Sequence, residues 1–180
     1  LIVALDLPTI NQAEELVEKL GDSVSIYKIG LALIPIGGFT LAQKLKKLGK
    51  KVFLDLKLFD IGSTIENTVR NLNDLDIDFL TVHGDPQIIR SASKTKDNPN
   101  MKILAVTLLT SMDRTDLSEA LIKEGKIEDL VVQRAKNAFS SGADGVVASP
   151  IEAKKIRALS DSKNKLIVPP GVRLADEPFN

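Results

Sequence analysis

The sequence predicts an α/β fold of the (β/α)8 TIM barrel type, with the last βα unit missing from the 180-residue chain. Three observations lead there. Short apolar segments of strand type alternate with longer segments of helical period, the pattern of repeated βα units around a parallel sheet. The first strand runs into "ALDLPT", without the glycine-rich turn of a dinucleotide-binding doubly wound sheet. Polar residues recur at the carboxyl ends of several strands, where barrel active sites are built.

Residues 1–6, "LIVALD", read as the first strand. Behind Thr9 and Gln12, a candidate capping box, Ala13, Leu16, Val17 and Leu20 recur at helical spacing. The second strand is "VSIYKIG" (24–30), followed by a helix on which Leu41, Leu45 and Leu48 repeat before Gly49. "KVFLDLK" (51–57) is the third strand, and Ile65, Val69 and Leu72 mark the helix behind it. "IDFLTVH" (77–83) is the fourth, with a helix from "PQIIRSA". After the fifth, "KILAVTLL" (102–109), a long helical segment within 113–141 breaks at Gly125. The sixth, "ADGVVAS" (143–149), leads into a helix start at Ser149, Pro150 and Glu152, and "KLIVPP" (165–170) is the seventh. Seven strands leave a barrel one unit short, and the chain opens on Leu and stops after "PPGVRLADEPFN". The expectation is one barrel domain over 1–180, incomplete at its C-terminus.

Composition narrows the function. Lys plus Arg equals Asp plus Glu at 24 each, so no charge excess draws the chain to nucleic acid or to an anionic membrane. The absence of cysteine removes thiolate nucleophiles and Cys-based metal sites, and a single histidine, His83, cannot build a His-rich one. No apolar run approaches the roughly 18 residues of a spanning helix, and "LIVAL" ends at Asp6, too short for a signal sequence. A cytoplasmic protein is expected.

Against this background "KVFLDLKLFDIGST" (51–64) stands out, because an apolar strand carries Asp55 and Lys57, with Asp60 just beyond. Unpaired charge is costly to bury. Side chains two apart on a strand project to the same side, so Asp55 and Lys57 point together while Leu54, Leu56 and Leu58 face the helices. Asp6 ends the first strand and Lys28 lies near the end of the second, which brings four alternating charges to one rim. A buried ion-pair network that fixes register would account for one such pair. Charges on three consecutive strand ends point instead to a site.

"DLKLFDIGST" resembles the D-x-K-x-x-D-I motif of the orotidine 5'-phosphate decarboxylase family, and "IVALD", "YKIG", "VHG", "AVTLLTS", "DGVVAS" and "PPGVR" fall in that family's order. The resemblance runs from residue 1 to Arg173. It implies conversion of orotidine 5'-phosphate to UMP and carbon dioxide without a cofactor or a metal. It implies a Lys-Asp-Lys-Asp array of Lys28, Asp55, Lys57 and Asp60, with Lys57 stabilising and protonating the carbanion at C6. It further implies that Asp6 and Lys28 hold the ribose hydroxyls, that Thr110 lies by the pyrimidine and that Arg173 is near the phosphate. A homodimer with shared active sites is implied as well, Asp60 and Thr64 acting on the neighbouring subunit's substrate. Gly62, where many relatives have proline, departs from the pattern, as does "HGDP", and for His83 a structural role at a strand end stands beside a chemical one.

Three other readings compete on the sequence. One, a Schiff-base lyase with Lys57 as nucleophile, needs a neutral amine that two flanking carboxylates oppose. Magnesium-dependent phosphosugar enzymes of the same superfamily, such as hexulose-phosphate synthase, share the motif, but resemble one another in a metal-binding glutamate on the second strand, where this chain has Lys28. The third is a barrel fragment that binds nucleotides without catalysis.

Overall fold

Seven parallel strands lie side by side in chain order: β1 (Val3–Ala4), β2 (Ile26–Gly30), β3 (Lys51–Leu58), β4 (Phe79–His83), β5 (Lys102–Val106), β6 (Gly145–Val147) and β7 (Leu166–Val168). Between them run α1 (Ile10–Leu20), α2 (Gly38–Lys47), α3 (Gly62–Asn73), α4 (Pro86–Lys94), α5 (Arg114–Glu119), α6 (Ile127–Ser140) and α7 (Pro150–Arg157). The computed structural model describes residues 1–171. Because each connection returns to the next place in the sheet, the strand order never reverses as it does in a doubly wound fold. The sheet also curls, since Asp6 beyond β1 and Ile167 of β7 line one cavity from opposite ends of the strand order. Among the described residues the fold is a seven-stranded, curled part-barrel with β1 and β7 at its edges.

The core lies between the strands and the helices. Tyr27 and Ile29 of β2, Leu54 of β3 and Leu80 and Val82 of β4 pack with Ala13 and Val17 of α1, Leu41 and Leu45 of α2, and Ile65 and Val69 of α3. Period-2 alternation then turns Lys28, between Tyr27 and Ile29, toward the inside of the curl. One apolar expectation fails. Leu48 is 64% exposed, because α2 ends at Lys47 and the chain has already turned where another helical turn would have carried Leu48 under the sheet.

The strands are shorter than the apolar runs that announce them. β5 stops at Val106 rather than residue 109, and β1 keeps two paired residues. In each case residues beyond the shortened strand line the cavity: Asp6 beyond β1, and Leu108, Leu109 and Thr110 beyond β5. Helix starts are closer to expectation. The Thr9 hydroxyl accepts from the N–H of Gln12, although it donates to the Gln12 side chain instead of completing a reciprocal box. A full box forms unannounced at α5, between Asp113 and Asp116. The break expected at Gly125 falls between α5 and α6, with Gly125 at φ 136° and Arg114 donating to the carbonyls of Ile122, Lys123 and Gly125.

At the opposite end of the strands, two aspartates repeat one device. Asp78, before β4, accepts from the N–H of Val52 on β3 at 2.8 Å and from Lys46 of α2 at 2.9 Å. Asp144, before β6, accepts from the N–H of Ile103 on β5 at 2.8 Å and from Lys96 at 2.7 Å. Each carboxylate ties a strand start to its neighbour and to the preceding helical layer. Among the described residues no helix is long and apolar enough to cross a membrane.

Candidate active site

Register places the charges. Lys28 pairs with Phe53, and Gly30 with Asp55, so residues facing the inside of the curl stand side by side across β2 and β3. Lys28 Nζ lies 2.9 Å from Asp6 Oδ1 and 3.5 Å from Asp55 Oδ2, and Lys57 Nζ lies 2.9 Å from the same Oδ2. Asp6, Lys28, Asp55 and Lys57 therefore form a chain of alternating charge across the carboxyl ends of three adjacent strands. Its centre is shielded and its end is open: the side chains of Asp55 and Lys28 are 15% and 18% exposed, that of Asp6 63%. Gly30 makes room for it, since a β-carbon there would lie 3.0 Å from Asp6 Oδ1.

The array lines a cavity of about 860 Å³, whose other walls include Phe53, Val106, Thr110, Val147, Ile167 and Pro169. Four charged side chains are gathered on a lining that is otherwise mostly apolar. That contrast suits a ligand with a polar sugar and a flat ring.

Asp55 and Lys57 meet, but not on a regular strand. Phe53 and Leu54 pair with Phe79 and Leu80, yet Leu58 pairs with Val82, so β3 spends two more residues than β4 over this stretch. Lys57 sits at φ 47°, a left-handed conformation that costs a residue with a side chain about 1 to 2 kcal/mol. Simple alternation past Leu56 is thereby broken, and Leu58 ends only partly buried against the core. Thr81 of β4, fully buried, stands at the break: its hydroxyl accepts from the N–H of Lys57 and donates to Asp55 Oδ1, both at 2.9 Å. Sequence reasoning passed over Thr81 as one more strand residue. The available signal was a hydroxyl in a buried strand next to the charged one, since a buried hydroxyl needs a partner.

Thr110 joins the four charges at the cavity. Asp60 and Thr64 do not. Asp60 is exposed in the loop after β3, where its Oδ1 accepts from the N–H of Ile61, and Thr64 is exposed in the first turn of α3. Arg173 lies outside the described residues. Around the same loop, the exposed Phe59 meets the ring of His83 edge-on at 4.9 Å. His83 pairs through Nδ1 with Asp85, whose carboxylate also lies 3.5 Å from Arg134 of α6. At Gly62 a β-carbon would come within 2.8 Å of Ser91 Oγ, so this departure from the motif lets α3 approach α4.

Residues 1–178 match the sequence model of the orotidine 5'-phosphate decarboxylase / HUMPS family. The chain is 56% identical over 174 residues to the orotidine 5'-phosphate decarboxylase of Jannaschia sp. strain CCS1, spanning 96% of this chain and 76% of that protein. To the enzyme of the same name from Ruegeria pomeroyi it is 55% identical over 176 residues, spanning 97% and 73%. The crystal structure of orotidine 5'-phosphate decarboxylase from Lactobacillus acidophilus superposes with a TM-score of 0.87 at 37% identity, covering 96% of this chain and 81% of that one.

Proposed function

We propose, for a chain that belongs to the orotidine 5'-phosphate decarboxylase / HUMPS family, that the Asp6-Lys28-Asp55-Lys57 array is the machinery that decarboxylates orotidine 5'-phosphate to UMP in pyrimidine biosynthesis. The observation that carries this reading is the placement of the Lys57 ammonium on Asp55 at 2.9 Å, inside the cavity and at the mouth of the sheet.

When the C6–carboxylate bond breaks, its electron pair stays on C6 and carbon dioxide departs. Lys57 stabilises that developing carbanion by its charge and then gives it a proton from Nζ. Asp55 holds Lys57 on line and borders the departing carboxylate, and preorganised electrostatics outrank ground-state repulsion as the source of rate. Asp6 and Lys28, already paired at 2.9 Å, receive the ribose hydroxyls, and Thr110 meets the pyrimidine from the far wall. Arg173 is assigned to the phosphate, whose binding energy helps drive the chemistry at the ring.

Protein charge suffices for these steps, and no cofactor or metal is invoked. The phosphosugar alternative is disfavoured by Lys28 and Lys57, two ammonium groups on one carboxylate oxygen that a hard cation would have to displace.

We place Asp60 and Thr64 in the partner's site of a homodimer. Their exposure at the rim, away from their own cavity, supports this, as do the exposed apolar side chains of Phe59 and Ile61 beside them. The parent architecture we infer is a single-domain (β/α)8 barrel, in which an eighth unit joins β7 to β1.

The direct test is UMP formation from orotidine 5'-phosphate by the purified protein with EDTA present. Turnover supports the reading. Activity lost in EDTA and restored by Mg²⁺ would favour the phosphosugar enzymes, and no turnover in either condition a nucleotide-binding fragment.

A further inference from the structure

The geometry points to Thr81 as a positioning residue for this reaction, its single hydroxyl fixing both the carboxylate of Asp55 and the backbone of Lys57. The inference rests on the decarboxylase reading above.

A hydroxyl has one proton to give and lone pairs to receive with, a carboxylate only accepts, and an amide N–H only donates. The direction of both bonds is therefore set. Thr81 must give its proton to Asp55 Oδ1 and take the N–H of Lys57.

Asp55 is held from both sides as a result. Its Oδ2 receives the ammonium of Lys57 at 2.9 Å with that of Lys28 at 3.5 Å, and its Oδ1 receives Thr81 at 2.9 Å. Without the Thr81 bond, the carboxylate is free to turn about its last torsion, and turning carries Oδ2 away from Lys57. The second bond acts on Lys57 from below. Its left-handed backbone at φ 47° follows from the two-residue slack of β3 against β4, and the Thr81 hydroxyl anchors its N–H in the middle of that slack. One side chain thus sets where the ammonium starts and what it leans on.

Thr81 is well suited to this. It is 0% exposed, so water does not substitute for the hydroxyl, and it sits on β4, whose pairing with β5 is unbroken from Phe79 to His83. Branching at its β-carbon restricts the rotamer and so the direction of the hydroxyl.

Thr81→Val keeps the shape and removes the hydroxyl, while Thr81→Ser keeps the hydroxyl and removes a methyl group. For Val the expected result is a fall in kcat of about 10- to 100-fold with KM within about threefold, as for a misaimed rather than missing catalytic group. Ser should keep kcat within about fivefold of the parent, whatever it does to Tm, because the preorganising bonds survive. A Val variant with kcat within about twofold of the parent, or a Ser variant as impaired as Val, would overturn the proposal. Hydrogen exchange at the Lys57 amide gives a readout independent of activity and of whether the variants fold: slow exchange in the parent protein is expected, and exchange at the rate of an open loop would overturn the assignment. A parent protein that forms no UMP counts against the decarboxylase reading, and the amide readout then still decides whether Thr81 holds Lys57.

Discussion

Asp60 follows Lys57 by three residues, yet the two side chains part company: Lys57 turns into the cavity onto Asp55, while Asp60 accepts from the N–H of Ile61 outside it. On the proposed shared-site reading, that carboxylate serves the partner's site. Mixing Asp60→Ala subunits with Lys57→Ala subunits then restores activity, because one of the two sites in a heterodimer receives both intact groups. Random exchange at equal amounts makes half the dimers heterodimers, so about a quarter of parental activity returns if the sites act independently. Two inactive variants that remain inactive after verified exchange would show that Asp60 serves its own barrel.

Gly30 bears on substrate binding. A β-carbon there sits 3.0 Å from Asp6 Oδ1 and 3.5 Å from Lys28 Nζ, so Gly30→Ala pushes the Asp6 carboxylate off its position. Asp6 is exposed and can yield, so the fold survives. The expected result is a rise of about tenfold in KM, for the loss of one well-placed charge-assisted contact to the sugar, with a smaller change in kcat. Steady-state kinetics check it, and an unchanged KM would remove Asp6 from the ribose site.

Stability depends on the far end of the strands. Asp78→Ala leaves the N–H of Val52 and the ammonium of Lys46 without their acceptor, at a cost of about 3 kcal/mol in denaturant unfolding. Asp144→Ala does the same to Ile103 and Lys96, at a similar cost.

Lys46 adds a pH dependence with a definite sign. Burial acts to lower its pKa, but hydrogen bonding and charge from Asp78, with the charge of Asp76, outweigh burial and hold it above the ordinary 10.5. A pKa raised on folding contributes stability that is complete below the unfolded value and fades as pH climbs through the folded one. The stability advantage of the parent over Lys46→Met should therefore hold up to about pH 10.5 and shrink above it. An advantage that grew with pH would contradict the assignment.

Much of this was legible in the sequence, for identifiable reasons. Apolar runs separated by helical periods announced seven strands, because strands covered by helices on one face and by cavity or neighbour on the other need little polarity. Asp6, Lys28, Asp55 and Lys57 were legible because charge in an apolar strand demands an explanation. Thr81 was not, since threonine is an ordinary strand residue and its role arises from a pairing slip between β3 and β4 that no local pattern records. The ends of β1 and β5 were also unreadable, because the apolar residues that leave the ladder to line a cavity look the same as those that stay in it.

The most direct test of the central claim is Lys57→Ala, assayed for turnover and for UMP binding on the same preparation. Lys57 is assigned to the carbanion and its proton, not to holding the nucleotide. Removing it should lower kcat by about four orders of magnitude or more, combining the loss of general acid and of charge stabilisation, while UMP still binds within about tenfold of its parental affinity. A variant that keeps most of its kcat would contradict the account.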